Sequence, residues 1–352
     1  MSDLLPELGL VPFFTRQLAD IGLLQDRLGR VTSVQRSRST VVCASGERVV
    51  ELSSTLRDSA AIDRPTVGDW VVLDEALARI ELVLERKSLF RRLGAGGSGE
   101  IQPIAANIDI LFIVTSCNDE FKESRLERYL ALCAEAGAMP VIVLTKADLV
   151  DDVDSYVRRA RSTQAGVPVE IANARDPATL EGVRRWIDKT STVALVGSSG
   201  VGKSTLLNTL AGDSLAATGD IREDDKKGRH TTTHRELHVL PSGGLLIDVP
   251  GMRELRVAEI NESIGTVFDD IERLATHCKF ADCKHDAEPG CAVLRAIEEN
   301  QLDGRRLSNY RKLLRENAQA TQTLAEKRAQ GRDFAKMVKE VTNMKKQKKG
   351  ET

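Results

Sequence analysis

Apolar and polar positions divide the chain into three kinds of text. Residues 1 to about 25 form a short amphipathic lead segment with no chemistry of its own. From Gly29 to Leu89 the apolar positions come in short β-type runs separated by turn signals, such as Thr40-Val41-Val42-Cys43, Arg48-Val49-Val50-Glu51-Leu52 and Val67-Gly68-Asp69-Trp70-Val71-Val72. About five short strands in so few residues predict a small barrel, of which the OB-fold is one form. Arg91 to Gly99, rich in Gly and Arg, reads as a linker or mobile loop.

From Ile108 the period changes. Continuous apolar runs at 110–115, 141–145, 167–171 and 192–196 alternate with helical patterns at 124–137, 153–164, 179–189 and from Lys203 onward. A hairpin at 236–240 and 244–248 follows. Strands alternating with helices predict a mostly parallel sheet covered on both faces. After Glu259 the pattern is helical, with a Cys/His cluster between helices and a long polar helix from about Ser308. The expected organisation is a lead segment (1–25), an all-β OB-fold barrel (26–90), a linker (91–104), an α/β nucleotide domain (105–258), and a mostly α metal-binding domain with a basic tail (259–352).

Gly197-Ser198-Ser199-Gly200-Val201-Gly202-Lys203-Ser204 lies between the strand 192–196 and a helix continuing through Thr205, the context that the G-x-x-x-x-G-K-[ST] pattern requires. Its glycines let backbone N–H groups curl around a β-phosphate, and the helix N-terminus adds a positive dipole end. Lys203 is placed to reach β- and γ-phosphate oxygens, and Ser204 to ligate Mg²⁺. Thr145-Lys146-Ala147-Asp148 ends an apolar strand. Its carboxylate can accept two hydrogen bonds from the N1–H and N2 edge of guanine, which adenine does not present, and the Lys146 stem can lie along the base. Thr145 stands where Asn is commoner; losing an amide tie within the loop predicts weaker nucleotide affinity with the same base. Asn173 opens a segment that could back the base. Asp248-Val249-Pro250-Gly251 reads as a γ-phosphate sensor, with Asp248 reaching magnesium through water and Gly251 offering its N–H.

The order of these motifs is rotated. The base-reading motif precedes the phosphate loop, whereas in an ordinary GTPase it follows. Cutting the usual fold between its third and fourth strands and joining the old ends gives this order, so a circularly permuted GTPase domain is expected. Gly228-Arg229-His230-Thr231-Thr232-Thr233 occupies the place of the first switch, where one threonine, Thr231 or Thr232 among them, would meet magnesium and the γ-phosphate. Met252 stands where a water-orienting Gln is usual, and a thioether cannot position water. His230 can do so through a ring nitrogen, with His234 and His238 as competitors and a plain surface histidine as the other reading.

Cys278-x4-Cys283-x-His285-x5-Cys291 offers three thiolates and an imidazole, a donor set that closes a tetrahedral site and suits one structural Zn²⁺; a redox cluster is the alternative. Cys43, Cys117 and Cys133 read as buried small hydrophobes. Hydrophobic residues make up 41% and charged residues 29% of the chain, and the net charge of −2 excludes a polycation. The charge is uneven: nine Lys/Arg face four acids from Glu326 to Thr352, a solvated tail or a nucleic-acid-facing arm. No apolar run approaches the roughly 20 residues of a membrane span, and no secretion signal opens the chain, so a cytoplasmic location is expected.

Taken together, T-K-x-D, G-S-S-G-V-G-K-S, G-R-H-T-T-T, D-V-P-G and C-x4-C-x-H-x5-C, in that order, resemble the ribosome small subunit-dependent GTPase A (RsgA, also YjeQ) family. The likeness covers about residues 27 to 300 and includes Val67-Gly68-Asp69-Trp70, Ala105-Ala106-Asn107-Ile108-Asp109, Arg125-Leu126-Glu127-Arg128-Tyr129-Leu130 and Glu288-Pro289-Gly290-Cys291-Ala292-Val293. The resemblance implies an N-terminal OB-fold, a permuted GTPase domain and a zinc domain. It also implies GTP hydrolysis stimulated by the small (30S) ribosomal subunit late in its maturation, through contacts with 16S rRNA, with His230 at the catalytic position. We expect a monomer with GTP and GDP as ligands and no membrane partner. A GTP-gated RNA-binding module with incidental hydrolysis, and a P-loop kinase or ATPase using Asp148 otherwise, are the competing functions. In the permuted order the γ-phosphate sensor leads directly into the zinc domain, so phosphate loss is expected to change how that domain sits on RNA.

Overall fold

The computed structural model describes residues 4–35, 38–93, 101–212, 236–248 and 261–321. Two short helices, α1 (Leu4–Glu7) and α2 (Pro12–Asp20), precede five barrel strands: β1 (Leu28–Val34), β2 (Ser39–Cys43), β3 (Gly46–Leu52), β4 (Trp70–Leu73) and β5 (Arg79–Val83), with α3 (Ser54–Asp58) between β3 and β4. β1 pairs with both β2 and β4, β3 with β5, and β5 with β4, so the sheet closes on itself as an OB-like barrel. Its interior is filled by Val31, Val41, Cys43, Val50, Val71, Leu73 and Ile80.

The lead segment is part of this packing and not an appendage. Phe14 and Leu18 on one face of α2 are buried, and the Phe14 ring lies 5.7 Å from that of the wholly buried Trp70. The segment expected as a linker also carries structure. β6 (Leu89–Leu93) and β7 (Ile101–Ala106) pair antiparallel as a separate ribbon, because apolar positions on either side of the Gly-rich stretch can pair across it. Residues 94–100 lie outside the described residues.

The nucleotide domain follows with β8 (Ile110–Ser116), α4 (Glu123–Ala136), β9 (Met139–Thr145), α5 (Val153–Arg161), β10 (Val169–Ala172), α6 (Glu181–Arg184), β11 (Thr192–Val196), α7 (Lys203–Ala211), β12 (Glu236–Val239) and β13 (Leu245–Asp248). The strand order is β10-β9-β8-β11-β13-β12, parallel except for the β12–β13 hairpin, and β12 joins barrel strand β1 through the pair Ser33–Glu236. One sheet of 11 strands therefore runs through both domains. All seven residues of β8 are buried, as expected of a central parallel strand covered on both faces. Leu111 and Ile113 face α4, while Phe112 and Val114 face α7. α6 is shorter than the helical pattern at 179–189 predicts. Pro177 opens a 3₁₀ turn, and beyond Arg184 the N–H groups of Trp186 and Ile187 bond back three residues.

Four helices complete the described chain: α8 (Asn261–Val267), α9 (Asp269–Ala275), α10 (Ala292–Glu298) and α11 (Gly304–Thr321). Ile264, Phe268, Ile271, Val293, Leu307 and Leu313 belong to the same buried cluster as Leu126, Tyr129 and Leu130 of α4. No helix among the described residues is long and apolar enough to cross a membrane.

Candidate functional site

The parallel strands run to one side, with β8, β9 and β10 ending level and β11 three residues short of β8. Ala172 of β10 lies opposite Thr145 of β9, Thr145 opposite Ser116 of β8, Leu195 of β11 opposite Phe112, and Ala194 opposite Ile247 of β13. The segments that begin at Thr145, Asn173, Gly197 and Asp248 therefore emerge at one carboxyl edge, where open α/β sheets bind ligands. Their succession along the chain does not matter to that meeting.

The phosphate loop leaves β11 through Gly197 at φ 149°, where an added Cβ would sit 2.1 Å from the Val114 carbonyl oxygen. Only glycine fits there. Gly200 and Gly202 also have positive φ, at 75° and 97°, and the Gly202 carbonyl accepts the first bond of α7 from Leu206 at 2.8 Å. The Lys203 ammonium donates to the Ser198 carbonyl, closing the loop on itself. Ser204 is exposed, Thr205 half-buried, at the helix start.

Two bonds fasten the T-K-x-D loop to the phosphate loop. The hydroxyl of Thr145, fully buried, donates to the Val201 carbonyl at 2.5 Å and lies 3.2 Å from that of Thr115. Lys146, at φ 56°, turns its ammonium onto the Gly200 carbonyl at 2.7 Å. Threonine therefore supplies a tie between loops in place of the amide tie that its replacement of Asn removes. Asp148 is exposed in the single turn Ala147–Leu149, open to a ligand edge. Asn173 closes its own turn: its amide oxygen accepts from Arg175 N–H at 3.0 Å, and the next carbonyl, Ala174, accepts from Thr209 of α7 at 2.6 Å. The backbone of Asp248 ends β13. Its side chain, together with His230, Thr231, Thr232, Gly251 and Met252, lies outside the described residues, as does the tail beyond Thr321. His238, a competitor to His230, is half-buried on β12 beside Glu236 at 3.8 Å.

The sulfur and imidazole donors of Cys278, Cys283, His285 and Cys291 all lie within 4.8 Å of one another. The Cys278–Cys291 sulfur distance is 3.8 Å, and His285 Nδ1 stands 3.6 and 3.4 Å from those two sulfurs. A tetrahedral zinc with Zn–S bonds of about 2.3 Å needs sulfurs about 3.8 Å apart, so the donors fit such an ion. Burial opposes ionisation of Cys278, but the N–H groups of Ala292 and Val293 and the neighbouring thiols outweigh it and bring the thiol below its usual range. Burial lowers the pKa of His285 and keeps the imidazole neutral, as a metal ligand must be. Glu288 shapes the turn by accepting from the N–H groups of Lys284, Asp286 and Ala287 at 2.8, 2.7 and 3.1 Å. In contrast, burial pushes the thiol of Cys117 up to about 11, the mark of an inert packed cysteine.

A model of the RsgA GTPase family matches residues 83–258. The small ribosomal subunit biogenesis GTPase RsgA 2 of Vibrio parahaemolyticus is 46% identical over 347 residues, covering 99% of this chain and 95% of that protein. The chain belongs to the RsgA GTPase family. The family member of Mesorhizobium japonicum is 45% identical over 327 residues, 91% of this chain and 92% of that one. Among solved structures, YjeQ from Thermotoga maritima superposes with a TM-score of 0.61 at 27% identity, covering 82% of this chain and 98% of that one. YloQ, described as a circularly permuted GTPase, shares the fold with a TM-score of 0.57 at 22% identity, over 84% of this chain and 96% of that one. A model described as ABC transporter matches residues 180–348; the stretch it shares with the RsgA match contains the phosphate loop.

The start of the phosphate-loop strand is held by polar side chains from other parts of the chain. Arg30 of β1 is buried, and its guanidinium donates to carbonyls of Leu8, Gly68 (3.3 Å) and Asn107 (3.4 Å) and to the Thr192 hydroxyl at 2.8 Å. It joins the lead segment, the barrel and the first residue of the phosphate-loop strand. Burial pushes it down to about 10, so it stays charged at neutral pH. Asp109 holds the same strand start, accepting from Thr192 N–H at 2.8 Å. The V-G-D-W run works beside it. Asp69 takes a two-pronged bond from Arg86 at 2.8 and 2.9 Å, and Gly68, at φ 89°, lets the Ala106 carbonyl approach to 2.2 Å of where a Cβ would stand. The alternation of residues gave no sign of Arg30; only a polar residue on an inward-facing strand position could have raised the question.

Proposed function

We propose that this chain binds the small ribosomal subunit and hydrolyses GTP to GDP and phosphate during the late maturation of that subunit, which stimulates the hydrolysis. The observation that carries the reading is the double tie of Thr145 and Lys146 to the carbonyls of Val201 and Gly200, which fixes a base-reading loop against a phosphate loop. Relatives named as small ribosomal subunit biogenesis GTPases supply the subunit.

In this reading Asp148 accepts from the N1–H and N2 groups of guanine, the Lys146 stem covers the base, and Asn173 backs it. Backbone N–H groups from Gly197 through Thr205 cradle the phosphates, and Lys203 leaves Ser198 to meet the β- and γ-phosphate oxygens. Ser204 and, through water, Asp248 would hold magnesium, which would neutralise phosphate charge. Thr231 or Thr232 and the Gly251 N–H read the γ-phosphate. His230 orients the attacking water, since Met252 cannot. Zinc, held by Cys278, Cys283, His285 and Cys291, stabilises the helical region. The barrel contacts 16S rRNA, and the protein works as a cytoplasmic monomer.

The test is GTP turnover with and without purified small subunits, at two salt concentrations. Slow turnover alone, a rise of about tenfold or more with subunits, and loss of that rise in His230→Ala with GTP binding retained are expected. Equal affinity for ATP and GTP, or turnover indifferent to subunits, would overturn it.

A further inference from the structure

The loop between the first two cysteines carries an aromatic ring at the surface. Phe280 is 41% exposed, one of two exposed phenylalanines among the described residues. Its place is fixed from both sides. Cys278 and Cys283 belong to the four-donor cluster, the Cys283 N–H bonds back to the Phe280 carbonyl at 3.3 Å, and Lys279 N–H bonds to the Gly290 carbonyl at 3.1 Å. The Lys279 ammonium stands over one face of the ring, 5.5 Å from its centroid, so a base would stack on the other, and Lys284 lies exposed just beyond the second cysteine.

The acids nearby are largely engaged elsewhere. Glu288 spends its carboxylate on three backbone N–H groups, and Asp286 pairs with Arg311 at 2.5 Å. The tip from Lys279 to Lys284 carries two cations against the single acid Asp282. An exposed ring on a pinned turn, flanked by cations, costs a partner little ordering entropy. A nucleobase has a flat face for the ring and a phosphate on each side for the lysines. A hydrophobic protein groove would match the ring but not the two charges.

We infer that Phe280 is a stacking platform for one unpaired nucleobase of RNA, with Lys279 and Lys284 meeting the adjoining phosphates. The inference rests on the proposed ribosomal reading and adds a residue-level contact to it. The contact belongs to the loop of the cysteine cluster, far along the chain from the barrel and the nucleotide motifs.

The experiment uses the full-length, zinc-loaded protein and a short unstructured single-stranded RNA oligonucleotide, followed by fluorescence anisotropy, with sedimentation on purified small subunits in parallel. Phe280→Ala weakens oligonucleotide binding about tenfold, Phe280→Trp restores it, and Lys279→Ala flattens its salt dependence. Zinc content and GTP turnover without subunits stay those of the parent in all three. Unchanged oligonucleotide binding in Phe280→Ala overturns the inference while leaving the ribosomal reading standing if subunits still bind. Loss of subunit binding with unchanged oligonucleotide binding overturns it in favour of a protein contact. Parent protein that binds no subunit at all removes the reading beneath it.

Discussion

Glu127 of α4 and Arg306 of α11 meet at 3.0 Å with both side chains buried. Around this pair Arg305 and Asn309 also donate to Glu127, and Arg306 reaches Asp270 at 2.6 Å, the Thr163 carbonyl at 2.6 Å and the Val267 carbonyl at 2.7 Å. The helical region is thereby clasped to the nucleotide domain. Removing one member strands the others in a low-dielectric site, so Glu127→Gln should cost about 3 kcal/mol or more in urea unfolding. Arg128→Ala breaks the half-exposed pair with Glu316 and should cost about 1 kcal/mol or less.

The same clasp bears on how phosphate loss is transmitted. Reorientation of the whole zinc region would have to open the Glu127 cluster. We therefore expect spin labels on α4 and α11 to keep one separation with GDP and with a GTP analogue. A shift of several ångströms between the two states would contradict this.

Thr145→Val deletes the hydroxyl that meets the Val201 carbonyl and leaves that carbonyl without this donor. An orphaned buried acceptor costs roughly 1–3 kcal/mol, so GTP and GDP should both bind about tenfold more weakly or worse, with the preference for guanine over adenine unchanged. Equilibrium titration with fluorescent nucleotides measures this; unaltered affinity would show that the bond holds nothing.

Chelation, or Cys291→Ala, should release the metal and unfold the region around α9 and α10 before the rest. Cys291 also caps α10 through Leu294 N–H at 3.4 Å, so the substitution loses a ligand and a cap together. Metal analysis and limited proteolysis provide the readout, with cleavage expected first between 278 and 291.

Glu288 supplies a pH dependence with a definite sign. The N–H groups of Lys284, Asp286 and the residues beside them lower its carboxyl from 4.5 to about 2 in the folded chain. Its contribution is complete above about pH 4.5 and fades as pH falls towards 2. The stability gap between the parent and Glu288→Gln should be widest at neutral pH and close on acidification; a gap that grows with acid would reverse the assignment.

Short-range chemistry is what the order of residues settled unaided. Gly197 to Ser204 cannot be other than a tight turn into a helix, and the apolar run at 110–115 had to be a covered strand. Four soft donors within fourteen residues, Cys278 to Cys291, find one another because so little chain separates them. The rotated succession of motifs also told which domain was cut. Only folding in three dimensions decided the rest. That β9, β10, β11 and β13 end at one edge depends on sheet register, and that Thr145 bonds Val201 depends on how two loops cross. Arg30, Glu127 and Arg306 look like ordinary surface charges in a linear text, because no periodicity marks a cation whose partners lie on other domains. Their burial is fixed by long-range packing, and long-range packing leaves no local pattern to read.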